Sequence, residues 1–305
     1  MSRKKRHWLD TSPHFGAFWH ADRAWATSTR AGISFIETEL ATVRVRVEGQ
    51  GAITVLFAAD PPNVVEHYDA LFAEVAPWAR VACFELPGFG FSAPRPGFGF
   101  DMAANSRVVR EVLTSLGGGP FVLAFPCLSG FVALRVAAEE PERVSAVALS
   151  QTPSWADMVR WSRRVDPRGV LAMPVAGQAF VRLRRRAVAD AWYRVAAGQD
   201  STASALALTA RAAFDHGAAY CLASAFQANF SGASPDLGPR TGGLVAWGMR
   251  DRTHRKSDPD GALEYLDGAS VIRLHVGHFP ELEAPSAFAA ALKVMALSKG
   301  PGPES

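Results

Sequence analysis

The chain is poor in cysteine, in charge of one sign and in long apolar runs, and each shortage closes off a class of protein. Three cysteines, Cys83, Cys127 and Cys221, stand far apart in 305 residues. An odd number at such spacing is no disulfide framework; it fits a reducing compartment, so a cytoplasmic protein is expected. No cysteine has histidines at zinc-binding spacing, and no metal or cofactor is expected. A formal net charge of +3 is too small to imply nucleic acid. No apolar run approaches the roughly 18 residues of a membrane span. The basic cluster Arg3-Lys4-Lys5-Arg6 is not followed by the apolar core of a secretory signal and reads as a solvated tail. No internal repeat is present.

What remains is an ordinary globular composition, 49% hydrophobic and 20% charged, with length for one large domain carrying an insertion. Residues 1–30 read as an irregular leader that packs Trp8, Trp19 and Trp25 on the domain surface. Val43, Val45 and Val47 alternate with Thr42, Arg44 and Arg46, as in a half-buried strand. Short apolar runs then alternate with helical periodicity. Strands are predicted at Ile53 to Ala58, Arg80 to Glu85, Pro120 to Phe125 and Val144 to Ser150, and helices at Val64 to Val75 and Met102 to Leu116. Residues 153–236 hold no convincing strand and read as helical. The alternation resumes with strands at Gly243 to Trp247 and Ser270 to His275 and helices at Pro259 to Leu266 and Pro285 to Leu297. Such alternation implies a mostly parallel central sheet flanked by helices, with right-handed crossovers. The core then comprises 31–152 and 237–305, interrupted by a helical cap, 153–236.

The stretch Phe125-Pro126-Cys127-Leu128-Ser129-Gly130 lies where a buried strand must turn sharply into a helix. Such a turn pushes its central side chain over the end of the sheet, the geometry of a nucleophile elbow with a thiol in place of the usual hydroxyl. A thiol nucleophile needs a base, and the base an orienting acid. His278, in Gly277-His278-Phe279-Pro280, and Asp251, in Gly248-Met249-Arg250-Asp251, both follow predicted strands. They fall at the carboxyl ends of parallel strands, where open sheets of this class place ligand sites.

With Leu86-Pro87-Gly88-Phe89-Gly90-Phe91-Ser92, Pro141-Glu142-Arg143-Val144 and Glu281-Leu282-Glu283-Ala284-Pro285, these motifs make the chain resemble a capped α/β-hydrolase of the epoxide-hydrolase and haloalkane-dehalogenase-like branch, over roughly Ile33 to Leu297. The resemblance implies the α/β-hydrolase fold, with Cys127 as nucleophile, His278 as base and Asp251 as acid. It also implies an oxyanion hole from the backbone N–H groups of Leu128 and Asp60. The early loop departs from the family: Ala58-Ala59-Asp60-Pro61 stands where His-Gly is usual, and Asp60 is expected to be a turn residue bonded within its own loop. Phe125 replaces a usual glycine and is expected to narrow the site. Pro126, Trp155 and Phe279 are further candidates for substrate contact. Cys83 and Cys221 read as inert core thiols, and His275 and Trp247 as packing residues.

Proteins of this class with cysteine at the elbow include dienelactone hydrolases, polyester synthases and the acyl and aminoacyl shuttles between carrier proteins, to which this chain is most similar. A thiol favours exchange with thioester donors and transfer to amines or thiols over simple hydrolysis. An acyltransferase or thioesterase acting on a small-molecule acyl group is therefore expected, its substrate presented by a carrier protein or CoA. An ester or lactone hydrolase and a non-catalytic small-molecule binder stay open as alternatives. Arg160, Arg163, Arg164, Arg168, Arg182, Arg184, Arg185, Arg186 and Arg194 crowd one part of the cap, a surface suited to an acidic carrier or to phosphates. The sequence is silent on oligomeric state.

Overall fold

Short runs of apolar residues bounded by Gly, Pro and Asp form the strands of this computed structural model, which describes residues 8–11, 21–230 and 234–298. The cluster Arg3 to Arg6, Trp19 and the tail 300–305 lie outside the described residues. The strands in chain order are β1 (Ile33–Glu37), β2 (Ala41–Glu48), β3 (Thr54–Ala59), β4 (Arg80–Glu85), β5 (Phe89–Gly90), β6 (Ala93–Pro94), β7 (Phe121–Pro126), β8 (Val144–Ser150), β9 (Ala219–Tyr220), β10 (Gly243–Gly248) and β11 (Ser270–Leu274). The main sheet runs β1-β2-β4-β3-β7-β8-β10-β11, with β6 edging β2. All neighbours from β4 to β11 along this path pair in parallel, and β1, β2 and β6 pair antiparallel.

The helices are α1 (Trp8–Thr11), α2 (Arg23–Ser28), α3 (Asp69–Val75), α4 (Met102–Leu116), α5 (Ser129–Glu139), α6 (Trp155–Val165), α7 (Ala176–Ala196), α8 (Asp200–Asp215), α9 (Leu222–Asn229), α10 (Pro280–Glu283) and α11 (Pro285–Ser298). Local chemistry sets their ends. The Asp101 carboxylate caps α4 by accepting from the Ala104 N–H at 2.9 Å, and Gly117, at φ 62°, turns the chain away. Ser154 caps α6 in the same way, through the Asp157 N–H. One face of the sheet packs under α4, α5 and the cap; the other packs under α3 and α11. β3 and β7 are buried along their whole length because helices cover both faces.

Several elements differ from the sequence expectation. Residues 153–236 do contain a strand, the two-residue β9, which pairs with β5 and fastens the cap to the Pro87–Ser92 loop. The stretch 259–266 forms only a 3-10 turn, Gly261–Tyr265, whose first residue lies so close to the Ser154 backbone that a Cβ there would clash. β2 is not half-buried: Arg44 is fully enclosed, because Glu66, Glu85 and the carbonyl of Ala26 converge on its guanidinium. The leader is not irregular where it is described. In α1, Asp10 is buried and paired with Arg182 at 2.6 Å, and in α2, Trp25 stacks on His216 at 4.2 Å. His275 is exposed rather than packed, whereas Cys83, Cys221 and Trp247 are buried.

Candidate active site

Cys127 occupies the turn between β7 and α5 with φ 49°, a left-handed backbone that a non-glycine residue adopts only where neighbours enforce it. Two bonds from the end of β8 do so. The Cys127 N–H donates to the Ser150 carbonyl at 2.8 Å, and the Thr152 hydroxyl donates to the Cys127 carbonyl at 3.0 Å. The turn is tight enough to require glycine three residues on, since a Cβ at Gly130 would fall 2.3 Å from Thr152 Oγ1. Leu128 follows the thiol as the N-cap of α5, and its N–H favours the thiolate.

His278 and Asp251 come from the loops after β11 and β10. His278 Nδ1 lies 2.6 Å from Asp251 Oδ2, and both side chains are buried. Asp251 is itself oriented: Oδ1 accepts from the Thr253 N–H at 2.7 Å and Oδ2 from Gln151 Nε2 at 2.9 Å. Gln151, at φ 50°, also accepts the Gly248 N–H at 2.8 Å and so ties the end of β8 to the acid loop. Sequence reasoning missed Gln151, which carries no motif of its own. The His278 backbone N–H donates to the Ala196 carbonyl at the end of α7, so the cap holds the His278 loop directly.

Asp60 differs most from expectation. Its carbonyl closes a turn by accepting the Asn63 N–H, but its carboxylate leaves that loop and stands 3.4 Å from His278 Nε2 without forming a hydrogen bond. The imidazole is thus set between two carboxylates. Burial acts to depress it, but the charge of Asp251, then the Cys127 sulfur and Asp60, hold it well above its ordinary value. Burial pushes the Cys127 thiol up; the charge of His278 offsets part of this, and Asp60 adds to it. Burial likewise opposes ionisation of Asp251, yet the charge of His278 carries it below the ordinary carboxylate value.

A second histidine joins the site. His254 is buried, donates or accepts through Nδ1 with Ser257 Oγ at 3.0 Å, and is pushed down to about 3 by burial, so it is neutral. Its ring stacks between Trp161 of the cap, 5.3 Å away, and His278, 5.4 Å away. Spacing along the chain gives no metal signature. The fold nevertheless gathers ligand atoms of Cys127, His254 and His278 within 4.8 Å of one another.

The thiol opens into a cavity of about 950 Å³ between core and cap. Asp60, Cys127 and Leu128 line it, with an apolar wall that includes Trp161, Trp192, Tyr220 and Phe226. The four residues expected to contact substrate do not line it. Phe125 is buried in the core edge-on to Phe84, and Pro126 lies within the end of β7. Trp155 packs on Phe131 and Phe230, and Phe279 on Tyr193 and His278. Four arginines reach the cavity, Arg164 and Arg168 from the cap and Arg252 and Arg255 from the loop after β10. Of the other cap arginines, Arg160, Arg182 and Arg186 are engaged with Asp157, Asp10 and Asp215.

Comparison with known proteins bears on the fold. A family profile described as alpha/beta hydrolase fold matches residues 63–191. No curated protein sequence matches the chain. Similar solved structures include a provisionally named epoxide hydrolase from Pseudomonas aeruginosa: 20% identity, TM-score 0.71, covering 88% of this chain and 97% of that one. They also include a provisionally named acyltransferase from Salmonella enterica, at 18% identity and TM-score 0.67, covering 89% and 97%. A third is an esterase from Exiguobacterium antarcticum, at 16% identity and TM-score 0.65, covering 87% and 99%. Among the described residues, no helix is long and apolar enough to cross a membrane.

Proposed function

From the premise that this chain has the α/β-hydrolase fold, we propose that it is a cysteine-dependent acyl-transfer enzyme acting on acyl-thioesters through an acyl-Cys127 intermediate. The observation that carries this reading is a thiol at a strained strand-to-helix turn, within 4.8 Å of a ring nitrogen of His278, whose Nδ1 is held by Asp251 at 2.6 Å. Cys127 Sγ attacks the thioester carbonyl and forms the C–S bond. The tetrahedral oxyanion is held by the N–H groups of Leu128 and Asp60, and collapse breaks the donor's C–S bond. His278 accepts the proton of the thiol and returns one to the departing thiolate. An amine, thiol or water then takes the acyl group by the reverse route, with Asp251 fixing the imidazole tautomer throughout.

The cavity supports the substrate class. Its apolar wall accommodates an acyl chain, while Arg164, Arg168, Arg252 and Arg255 provide fixed positive charge for the phosphates of CoA or of a carrier-bound pantetheine arm. The Asp60 carboxylate beside His278 disfavours acyl groups with negative charge near the carbonyl. The same carboxylate favours one other reading, a non-catalytic small-molecule binder, because it opposes both a thiolate and an oxyanion.

Intact-mass measurement after mixing the protein with a panel of acyl-thioesters tests the reading. Wild type is expected to gain an acyl adduct that Cys127→Ala does not, and to lose it faster to added amine or thiol than to water. Rapid loss to water alone makes the protein a thioesterase. No adduct from thioesters, esters or lactones would leave the binder as the correct reading.

A further inference from the structure

The imidazoles of His254 and His278 share an arrangement that acyl transfer does not need. Each has its Nδ1 engaged by an oxygen, from Ser257 at 3.0 Å and Asp251 at 2.6 Å. Each leaves its Nε2 buried and without a hydrogen-bond partner. One ring nitrogen of each lies within 4.8 Å of the other and of Cys127 Sγ. Acyl transfer uses one imidazole; it gives no reason for a second, equally buried, with an unsatisfied nitrogen at the same thiol. The His278 nitrogen faces the Asp60 carboxylate at 3.4 Å and the thiol it serves, but that of His254 has neither role, and an orphaned buried nitrogen beside a thiol costs free energy and calls for a partner.

We propose that Cys127, His254 and His278 form a three-ligand site for a borderline divalent cation of the zinc type, and that occupancy silences the nucleophile. The donor set, one thiolate and two imidazoles once His278 has given up its second ring proton, suits such ions better than the oxygen-loving Mg²⁺ or Ca²⁺. The surroundings have the features that stabilise such a site. A carboxylate and a hydroxyl hold the distal nitrogens and orient the rings, and Trp161 and Trp192 pack on them from the cap. Ligand atoms around a tetrahedral zinc ion stand about 3.3–3.6 Å apart, so side-chain rotations close the present spacing. Of the three ligands Cys127 lines the cavity, through which water or a small thiol would reach a fourth position. Binding forms one metal–sulfur and two metal–nitrogen bonds and releases to solvent the Cys127 thiol proton and the His278 Nε2 proton. Silencing follows because the metal takes both the sulfur lone pair and the imidazole nitrogen that acyl transfer uses. The silencing rests on the function proposed above; the metal site does not.

The probe is Co²⁺ added to chelator-treated, untagged full-length protein, followed by absorption spectroscopy, with Zn²⁺ as competitor. Wild type is expected to bind a single Co²⁺ per chain with an intense near-ultraviolet thiolate-to-cobalt band, which Zn²⁺ abolishes. Cys127→Ser should lose the band, and His254→Gln should weaken binding by at least about tenfold, while Ser257→Ala weakens it less. Near-ultraviolet circular dichroism of each variant separates ligand loss from misfolding, and Zn²⁺ protection of wild-type Cys127 from alkylation reads the site without any variant. Binding without a thiolate band, an undiminished band in folded His254→Gln, or no protection by Zn²⁺ would each overturn the site. A thiolate band in a protein that acylates from no donor keeps the site and removes the transfer reading; acylation that Zn²⁺ leaves untouched removes the silencing.

Discussion

At Cys127 the competing influences are all within a few ångströms. Burial raises the thiol, the charge of His278 lowers it, and the carboxylate of Asp60 raises it again. Asp60→Asn removes a negative charge from beside both the sulfur and the oxyanion. It is expected to increase the rate at which iodoacetamide alkylates Cys127 at neutral pH, by up to about tenfold; an unchanged or slower rate would mean that Asp60 acts mainly by holding the imidazolium. Gln151 acts one step further out, through Asp251. Gln151→Ala should lower kcat for acyl transfer by about 10- to 100-fold with little change in KM, and Gln151→Glu should not restore it, because a second carboxylate cannot donate to Asp251. That Cys127, His278 and Asp251 would come together was legible because each stands in a short motif at a strand end. Gln151 and His254 were not, since a lone Gln or His carries no pattern until the ends of β8 and β10 are brought together. Asp60 was legible as a turn former, but which way its carboxylate points depends on a loop–loop approach that local sequence does not encode.

Among the elements, the elbow is the most constrained. Gly130 sits where any Cβ would strike the Thr152 side chain that also bonds Cys127. Gly130→Ala is expected to cost about 1–3 kcal/mol in urea unfolding, and adding Thr152→Ala should recover part of that stability while leaving the elbow carbonyl without its donor. If the double variant is no more stable than the single, the clash is not the cause. The buried parallel strands and α4 were readable to within a residue or two, because continuous apolar runs and helical periodicity are local signals. β2 was misread for a physical reason: alternation with arginine normally marks a solvent face, but here two glutamates and a helix carbonyl make a charged interior for Arg44. β9 escaped notice because two residues have no period; its existence depends entirely on β5 lying opposite.

For the whole molecule, stability should depend on pH through Glu281, which is buried with both carboxylate oxygens unpartnered. Burial raises it from 4.5 to about 7. The folded state therefore holds this proton more tightly than the unfolded chain. The contribution is complete below about pH 4.5, shrinks as pH rises, and is gone above about pH 7, a difference on the order of 3 kcal/mol. Glu281→Gln should flatten the pH dependence of Tm between about pH 4.5 and about pH 7; an unaltered slope would assign it to other groups. The alternation of strands and helices made the architecture and the cap legible. The cavity wall was not, because residues from the core loops and from three cap helices meet only after folding, and aromatics such as Trp155 and Phe279 look alike in sequence whether they face a cavity or a helix.

The cap is fastened to the core at two separated places, through β5 and β9 and through the bond from the His278 N–H to the Ala196 carbonyl. With the cap tied at both places, reactants reach Cys127 through the cavity between core and cap, which four arginines help to line. For an acyl-transfer enzyme this fixes the order of events. Donor and acceptor both have to reach Cys127 in the cavity it lines and so take turns, the first product departing before the second reactant enters. Double-reciprocal plots at several acceptor concentrations should then be parallel, and excess donor should compete with the acceptor for the acylated protein. Intersecting lines would require a second way in.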